Sequence, residues 1–319
     1  MIDENPFEMI GSMVANLIWT LLVCMIVFAL AGCSGGGAPE ETGRLTLSVT
    51  DAPLDDASSV VVQFSGVAFK REGSAPEIVR DLTPRQLNLL EYQEGRAAVL
   101  LDGIEMPAGR YEWVRLIVDT RPSVRDSYIV LTTGEECELH VPSGAESGLK
   151  LNRGFTLDAD GSAALTIDFD LRKSVHAPPG QQGVTADCTQ GYLMRPTLRI
   201  VEDANVGAIA GVIDGTLVTE ECLPKVYVFS GSDVTPDDIE ESAAESDVDP
   251  LAVINVAVQN GATSYPYRAA FLPPGSYTVA LTCDDDDPTA DDALTFVSPQ
   301  VVAVQNNLIG AADFAPAAP

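Results

Sequence analysis

Tyr111-Glu112-Trp113-Val114-Arg115-Leu116-Ile117-Val118 interleaves aromatic and β-branched residues with charges. That composition suits a pleated, half-buried surface, so the stretch is expected to be a strand. Pro107-Ala108-Gly109-Arg110 ahead of it is a turn. Working outward, Leu45, Leu47 and Val49 alternate with Thr46, Ser48 and Thr50, again with period 2. Val60–Phe64 with Val67–Phe69, Ile78-Val79 and Val99–Leu101 are further short runs. So are 128–131, 137–141, 149–151, 155–157, 164–169 and 192–201. Asp158-Ala159-Asp160-Gly161 is expected to be a hairpin tip, with Asp-Gly at the turn. Thr83-Pro84-Arg85-Gln86 has a capping-box pattern, so 87–92 is open between a short helix and a strand. Short strands with turn signals every 8–12 residues, and almost no helical periodicity, predict an all-β sandwich or barrel.

A second set of strands follows Val206: 208–213, 226–229, 251–258, 301–304 and 308–314. Leu272-Pro273-Pro274-Gly275-Ser276-Tyr277-Thr278-Val279-Ala280-Leu281 is a turn running into a strand, and its Pro-Gly pair suits a type II turn. Residues 231–250 form an acidic loop with no hydrophobic period. The turn-then-Tyr layout of Met106–Tyr111 returns in Leu272–Tyr277 and is expected to be a common way of starting a strand at a sandwich corner. The predicted fold class is all-β: two antiparallel β-sandwich domains after an N-terminal apolar signal helix. The expected divisions are a signal at 1–32, a flexible tether at 33–42, a first sandwich at 43–202 and a second at 203–319.

Two resemblances accompany this layout. Thr50-Asp51-Ala52-Pro53, Pro107–Tyr111 leading into Val114-Arg115-Leu116, and Val141-Pro142-Ser143-Gly144 stand in order. Ile167-Asp168-Phe169-Asp170 with Ser174-Val175, and Tyr192–Pro196 before Leu198-Arg199, follow them. Over about 43–201 this resembles the bacterial domain of unknown function 4382, which implies an exported β-rich domain and brings no catalytic residues. The Gly-x-Ile-x-Gly opening and Leu272–Val279 resemble the carboxypeptidase regulatory-like (transthyretin-like) β-sandwich over about 206–315. That resemblance implies an accompanying module that does no chemistry itself.

Met13 to Ala31 is almost wholly apolar and ends at Leu30-Ala31-Gly32-Cys33, ahead of a Gly-rich stretch. Small residues at the end of a short apolar run mark an export signal. The cysteine after Leu-Ala-Gly resembles a bacterial lipoprotein signal, although Asp3, Glu4 and Glu8 stand where such signals are basic. The resemblance implies cleavage before Cys33, lipid (palmitate among the acyl chains) on that residue, and anchoring in the cell envelope. More than one chain gives stable anchoring. Ser34 in place of Asp points to the outer membrane, with the folded part periplasmic or surface-exposed.

Cys137, Cys188, Cys222 and Cys283 then remain as an even set with no Cys-x-x-Cys spacing. Three pairings exist. One disulfide within each proposed domain selects Cys137–Cys188 and Cys222–Cys283. His140 and His176 are lone histidines, expected at the surface.

The chain carries a net charge of −29, and loss of the three acids of the signal takes it to about −26. Such a surface repels nucleic acid and anionic headgroups and attracts cations. The densest cation candidate is Asp284, Asp285, Asp286 and Asp287, with Asp291 and Asp292 close behind. Carboxylates on a loop suit Ca²⁺, although the EF-hand spacing is absent. No other cofactor is expected. Asp168 and Asp170 lie on one face of their strand near Arg172 and Lys173, and an ion-pair network is expected there. Trp113 is expected in the core.

Catalytic patterns are missing from the sequence. Gly144-Ala145-Glu146-Ser147-Gly148 has its serine one place off a nucleophile elbow, and no zinc-protease, phosphate-loop or dinucleotide fingerprint is present. The expected protein is not an enzyme. It is an envelope-anchored lipoprotein of binding or structural type, its membrane contact made through lipid on Cys33, with a glycan or envelope protein as ligand. The rival expectations are a carbohydrate- or protein-binding adhesin, a Ca²⁺-stabilised module, and a hydrolase with an unfamiliar site.

Overall fold

Alternating runs of this length bury only one face each, so they must pair into sheets and stack the sheets. The computed structural model describes residues 40–316, apart from 53, 55–56, 122, 142–147, 178–187, 189–190, 196, 240–247, 260 and 287–289. The expected signal helix, Cys33 and most of the tether lie outside the described residues. From Glu41 onward the chain forms one compact unit.

Its N-terminal half begins with β1 (Thr42–Ala52), β2 (Ala57–Arg71), β3 (Glu77–Asn88), β4 (Ala98–Pro107) and β5 (Gly109–Asp119). Then come β6 (Tyr128–Leu131), β7 (Glu136–His140), β8 (Leu149–Leu151), β9 (Phe155–Leu157) and β10 (Ser162–Asp170). A one-turn helix, α1 (Leu171–Ser174), leads to β11 (Val175–His176), β12 (Tyr192–Met194) and β13 (Leu198–Glu202). The C-terminal half holds β14 (Gly207–Asp214), β15 (Lys225–Ser230), β16 (Ala252–Asn255) and β17 (Ser264–Leu272). It ends with β18 (Gly275–Thr282), β19 (Phe296–Val304) and β20 (Ile309–Ala311).

The N-terminal strands make two sheets. One runs β13-β10-β1-β4; the other runs β11-β12-β7-β6-β2-β5-β8, with β3 also on β2 and β9 also on β5. The alternation read in β1 puts Leu45, Leu47 and Val49 inward against Val60, Val62 and Phe64 of the other sheet, all fully buried. Phe64 meets Phe169 edge-to-face at 6.3 Å between ring centroids. Each such side chain contributes roughly 1.5–3 kcal/mol through burial. The C-terminal strands make the sheets β17-β14-β20 and β16-β15-β18-β19, which share a core containing Ile209, Val228, Tyr267, Val279 and Phe314. Pairing is antiparallel except at β1–β10, β7–β12 and β14–β20. Gly211 permits the last of these close approaches, because a Cβ there would lie 1.7 Å from the Ala312 carbonyl oxygen.

The sheet β16-β15-β18-β19 is apolar on both faces. Val226 and Val228 point into the shared core, whereas Tyr227 and Phe229 point the other way. There they pack with Ile239 and Val253, and with Phe296 at the margin. A sheet covered on both sides explains why β15 reads as a continuous apolar run rather than an alternation.

Two local expectations are corrected, one open reading is resolved and one strand is added. The pattern at Thr83-Pro84 does not start a helix: β3 runs through it to Asn88, and only Leu89–Glu91 form a 3-10 turn. Pro84 fits because β3 is a sheet edge and the register shifts between Phe64 and Gly66 of β2, so the missing donor is tolerated. Asp158–Gly161 is not a hairpin tip, since β9 pairs with β5 and β10 with β1, so the turn passes from one sheet to the other. Strand β17 carries Pro266 and was not anticipated. Trp113 is not in the core. A register shift pairs Lys70 with Trp113 but Arg71 with Tyr111, leaving Glu112 as an extra residue. This bulge turns Tyr111 inward with Val114 and Leu116 and leaves Trp113 on the outer face. Arg115 and Lys150 lie over its ring, at 5.6 and 4.6 Å from the centroid.

Candidate functional site

The chemistry-bearing residues gather where the two halves meet. Asp168 and Asp170 project from β10 on the face opposite Ile167 and Phe169. Arg199 on the paired strand β13 is opposite Asp168 in register, and the two form an ion pair. Asp170 caps α1, accepting a hydrogen bond from the Lys173 backbone N–H at 3.3 Å. The cap fixes a single turn that sends two basic side chains toward the C-terminal half. Lys173 pairs there with Asp249. Arg172, only 2% exposed, donates from Nη2 to Asn255 Oδ1 at 2.6 Å, and its Nη1 lies 3.7 Å from Asp286 Oδ2. Tyr227 donates its hydroxyl to the same Asp286 oxygen.

Burial sets the electrostatics. It holds Asp168 above the ordinary carboxylate range, with the Arg199 guanidinium opposing it. Asp170 is raised for the same reason, against the hydrogen bond from Lys173. Burial also raises Asp286, opposed by the Tyr227 hydroxyl and by Arg172. The Tyr227 phenol is pushed up by burial and then by its bond to Asp286, so it stays protonated. A carboxyl whose pKa is raised is a candidate general acid. Asp168 and Asp170 are nonetheless committed, one to Arg199 and one to the helix cap. The charges do pair, but not as expected: Asp168 pairs with Arg199, Asp170 caps α1, and Arg172 and Lys173 face Asp286 and Asp249 of the C-terminal half.

A cavity of about 200 Å³ lies in the seam, lined by Asp168, Asp170, Arg172, Lys173, Arg199 and Leu251 among others. A smaller one of about 50 Å³ adjoins it, beside Asp51, Asn255 and Arg268. Pockets for drug-sized ligands run to about 300–1,000 Å³, so this seam has room for waters or a small ion.

The acidic run separates on folding. Asp284 accepts a hydrogen bond from the Thr295 backbone N–H at 2.6 Å. Asp285 pairs with Lys225 at 2.9 Å, and that ammonium holds its carboxyl below the usual range. Asp287 lies outside the described residues. Among the described residues of the run, Asp286 alone turns inward, where it meets Asp238 and Asp292, with an oxygen of each within 4.8 Å of the others. Asp238 escaped the sequence, although the apolar Ile239 beside it in an acidic loop was a signal that this segment packs down. Two disulfides are present, Cys137–Cys188 and Cys222–Cys283. His140 is partly exposed beside Glu138, and neither histidine joins a cluster of potential ligands among the described residues.

Residues 42–196 match the family described as "Domain of unknown function (DUF4382)". That match spans most of the N-terminal half. No curated protein matches the sequence. Among solved structures, a leucine-rich repeat protein from Bacteroides thetaiotaomicron aligns at 14% identity and a TM-score of 0.21, covering 86% of this chain and 26% of that one. The TIE protein of Bacillus anthracis aligns at 10% identity and 0.19, covering 86% of this chain and 34% of that one. The chain thus spans about a quarter to a third of their length. The minor pilin GBS52 of Streptococcus agalactiae aligns at 8% identity and 0.18, covering 86% and 98%. Scores this low do not establish a shared fold.

Proposed function

We propose that this chain is a lipoprotein of the cell envelope, anchored through lipid on Cys33, whose β-sandwiches bind or scaffold and do not catalyse. The second half, 203–319, would be the carboxypeptidase regulatory-like sandwich that accompanies the DUF4382 domain. The observation that carries this proposal is the pairing of Cys137 with Cys188 and Cys222 with Cys283. Structural disulfides belong to oxidising compartments, which supports export. Their pairing takes up every cysteine downstream of Cys33, the residue that ends Leu30-Ala31-Gly32-Cys33. A non-catalytic role is supported by the seam, whose acids and bases answer one another. The outer membrane is the proposed location, with an envelope protein or glycan as ligand.

Cys33→Ser tests the anchor. The native chain is expected in the membrane fraction with label from radioactive palmitate, and the variant in the soluble exported fraction without it. Unchanged membrane retention of Cys33→Ser would overturn the assignment. Crosslinking in intact cells, together with a glycan array, tests the binding role; silence in both would count against it.

A further inference from the structure

Asp238, Asp286 and Asp292 come from two connections: the acidic loop after β15 supplies Asp238, and the link from β18 to β19 supplies Asp286 and Asp292. The loop is held in place by an Asp238 Oδ2 that accepts the Asp292 backbone N–H at 2.6 Å. An acidic cluster alone proves nothing, since loops on a chain of charge −29 collect carboxylates. Asp286 supplies the second observation. Its side chain is 0% exposed, and its Oδ1 is buried with no hydrogen-bond partner. The other oxygen is engaged by Tyr227 and faces Arg172. A buried carboxylate oxygen without a partner is costly, and an ion or water is the ordinary resolution.

We propose that Asp238, Asp286 and Asp292 bind one Ca²⁺ ion, which fastens the acidic loop onto the outer face of the β15–β18 sheet. The donor set consists only of carboxylate oxygens, with no histidine or cysteine, which suits a hard cation. Two oxygens on one Ca²⁺, at about 2.3–2.6 Å each, can be about 5 Å apart at most. The three oxygens meet that limit at 4.8 Å. Nearby positive charge is already committed: Lys225 to Asp285, and Arg172 to Asn255 and the other oxygen of Asp286. Through Tyr227 and Arg172 the ion would also steady the contact between the two halves. Only the supply of calcium rests on the export proposed above; binding itself does not.

The full chain in detergent, stripped with EDTA, is titrated with Tb³⁺ while tyrosine is excited, because Tyr227 touches Asp286. Saturable emission at one ion per chain, reversed by Ca²⁺, is expected. The melting temperature should rise by roughly 5 °C or more between EDTA and saturating Ca²⁺, and by less with equal Mg²⁺. Asp238→Asn/Asp292→Asn should lose both responses, whereas Asp158→Asn/Asp160→Asn at the inter-sheet turn should keep them. Absence of saturable Tb³⁺ uptake, with equal melting temperatures in EDTA and Ca²⁺, overturns the site even if the double variant does not fold. Responses unchanged in a folded Asp238→Asn/Asp292→Asn variant overturn it equally. Cys33→Ser should bind Ca²⁺ normally, so loss of the anchor and loss of the ion site are separable.

Discussion

Asp168 shows how a residue can be legible in kind but not in partner. Its position two residues before Asp170 on a strand fixes a common face, and the structure keeps that face. Its partner Arg199 is 31 positions away, and nothing local in the sequence selects it over Arg172 or Lys173. Trp113 illustrates the opposite failure. Alternation assigns its face only while the pleat is regular, and one extra residue at Glu112 reverses the phase. The raised carboxyl of Asp168 leads to a pH prediction. A group whose folded pKa exceeds its unfolded value of about 3.9 binds more protons in the folded state. Its contribution to stability is full below the unfolded pKa and is lost as pH rises through the folded one. The native chain should therefore gain stability over Asp168→Asn as pH falls from 7 toward 4. Urea midpoints at pH 7, 5.5 and 4.5 measure the difference, and parallel pH curves for the two proteins would contradict it.

At the scale of elements, most strands were visible because period 2 needs no partner to be recognised. Strand β17 was missed because Pro266 interrupts its pattern, and 87–92 stayed ambiguous because a capping box and a bulged edge strand share residues. The repeated Pro-x-Gly-x-Tyr layout was legible and carries a definite interaction. Tyr111 donates its hydroxyl to the Pro107 carbonyl at 2.7 Å, and Tyr277 donates to the Pro273 carbonyl at 2.6 Å. In each case the ring is buried while the hydroxyl ties the turn to the strand it opens, as in a tyrosine corner. Tyr111→Phe and Tyr277→Phe should each cost about 1–3 kcal/mol, because the ring packing stays and the proline carbonyl loses its donor. The two lie in separate cores, so the double variant should be additive within about 0.5 kcal/mol. Equilibrium urea unfolding gives all three values, and a neutral effect at either tyrosine would show the hydroxyl to be dispensable there.

At the scale of the molecule, two resemblances to known domains predict two sandwiches joined by a short link, with nothing to say whether they touch. The contact depends on Arg172, which the sequence presents as one more base beside two acids. Its hydrogen-bond partner Asn255 is 83 positions away, on an apolar strand with no sign of a docking role. Folding puts the guanidinium at 2% exposure against Asn255 and Asp286, with Lys173 and Asp249 closing the rim. A buried charge is tolerated only while its partners are present, and removing one partner from such a pair costs about 3–5 kcal/mol. Arg172→Met keeps much of the apolar stem and deletes the charge, so its effect falls on the seam and not on either core. The native chain should then unfold in one calorimetric transition, because the halves share this contact. Arg172→Met should separate the transitions, with the C-terminal half, which loses the partner of Asp286, melting first. A single transition at an unchanged temperature in Arg172→Met would mean that the apolar surfaces flanking the seam couple the halves without it.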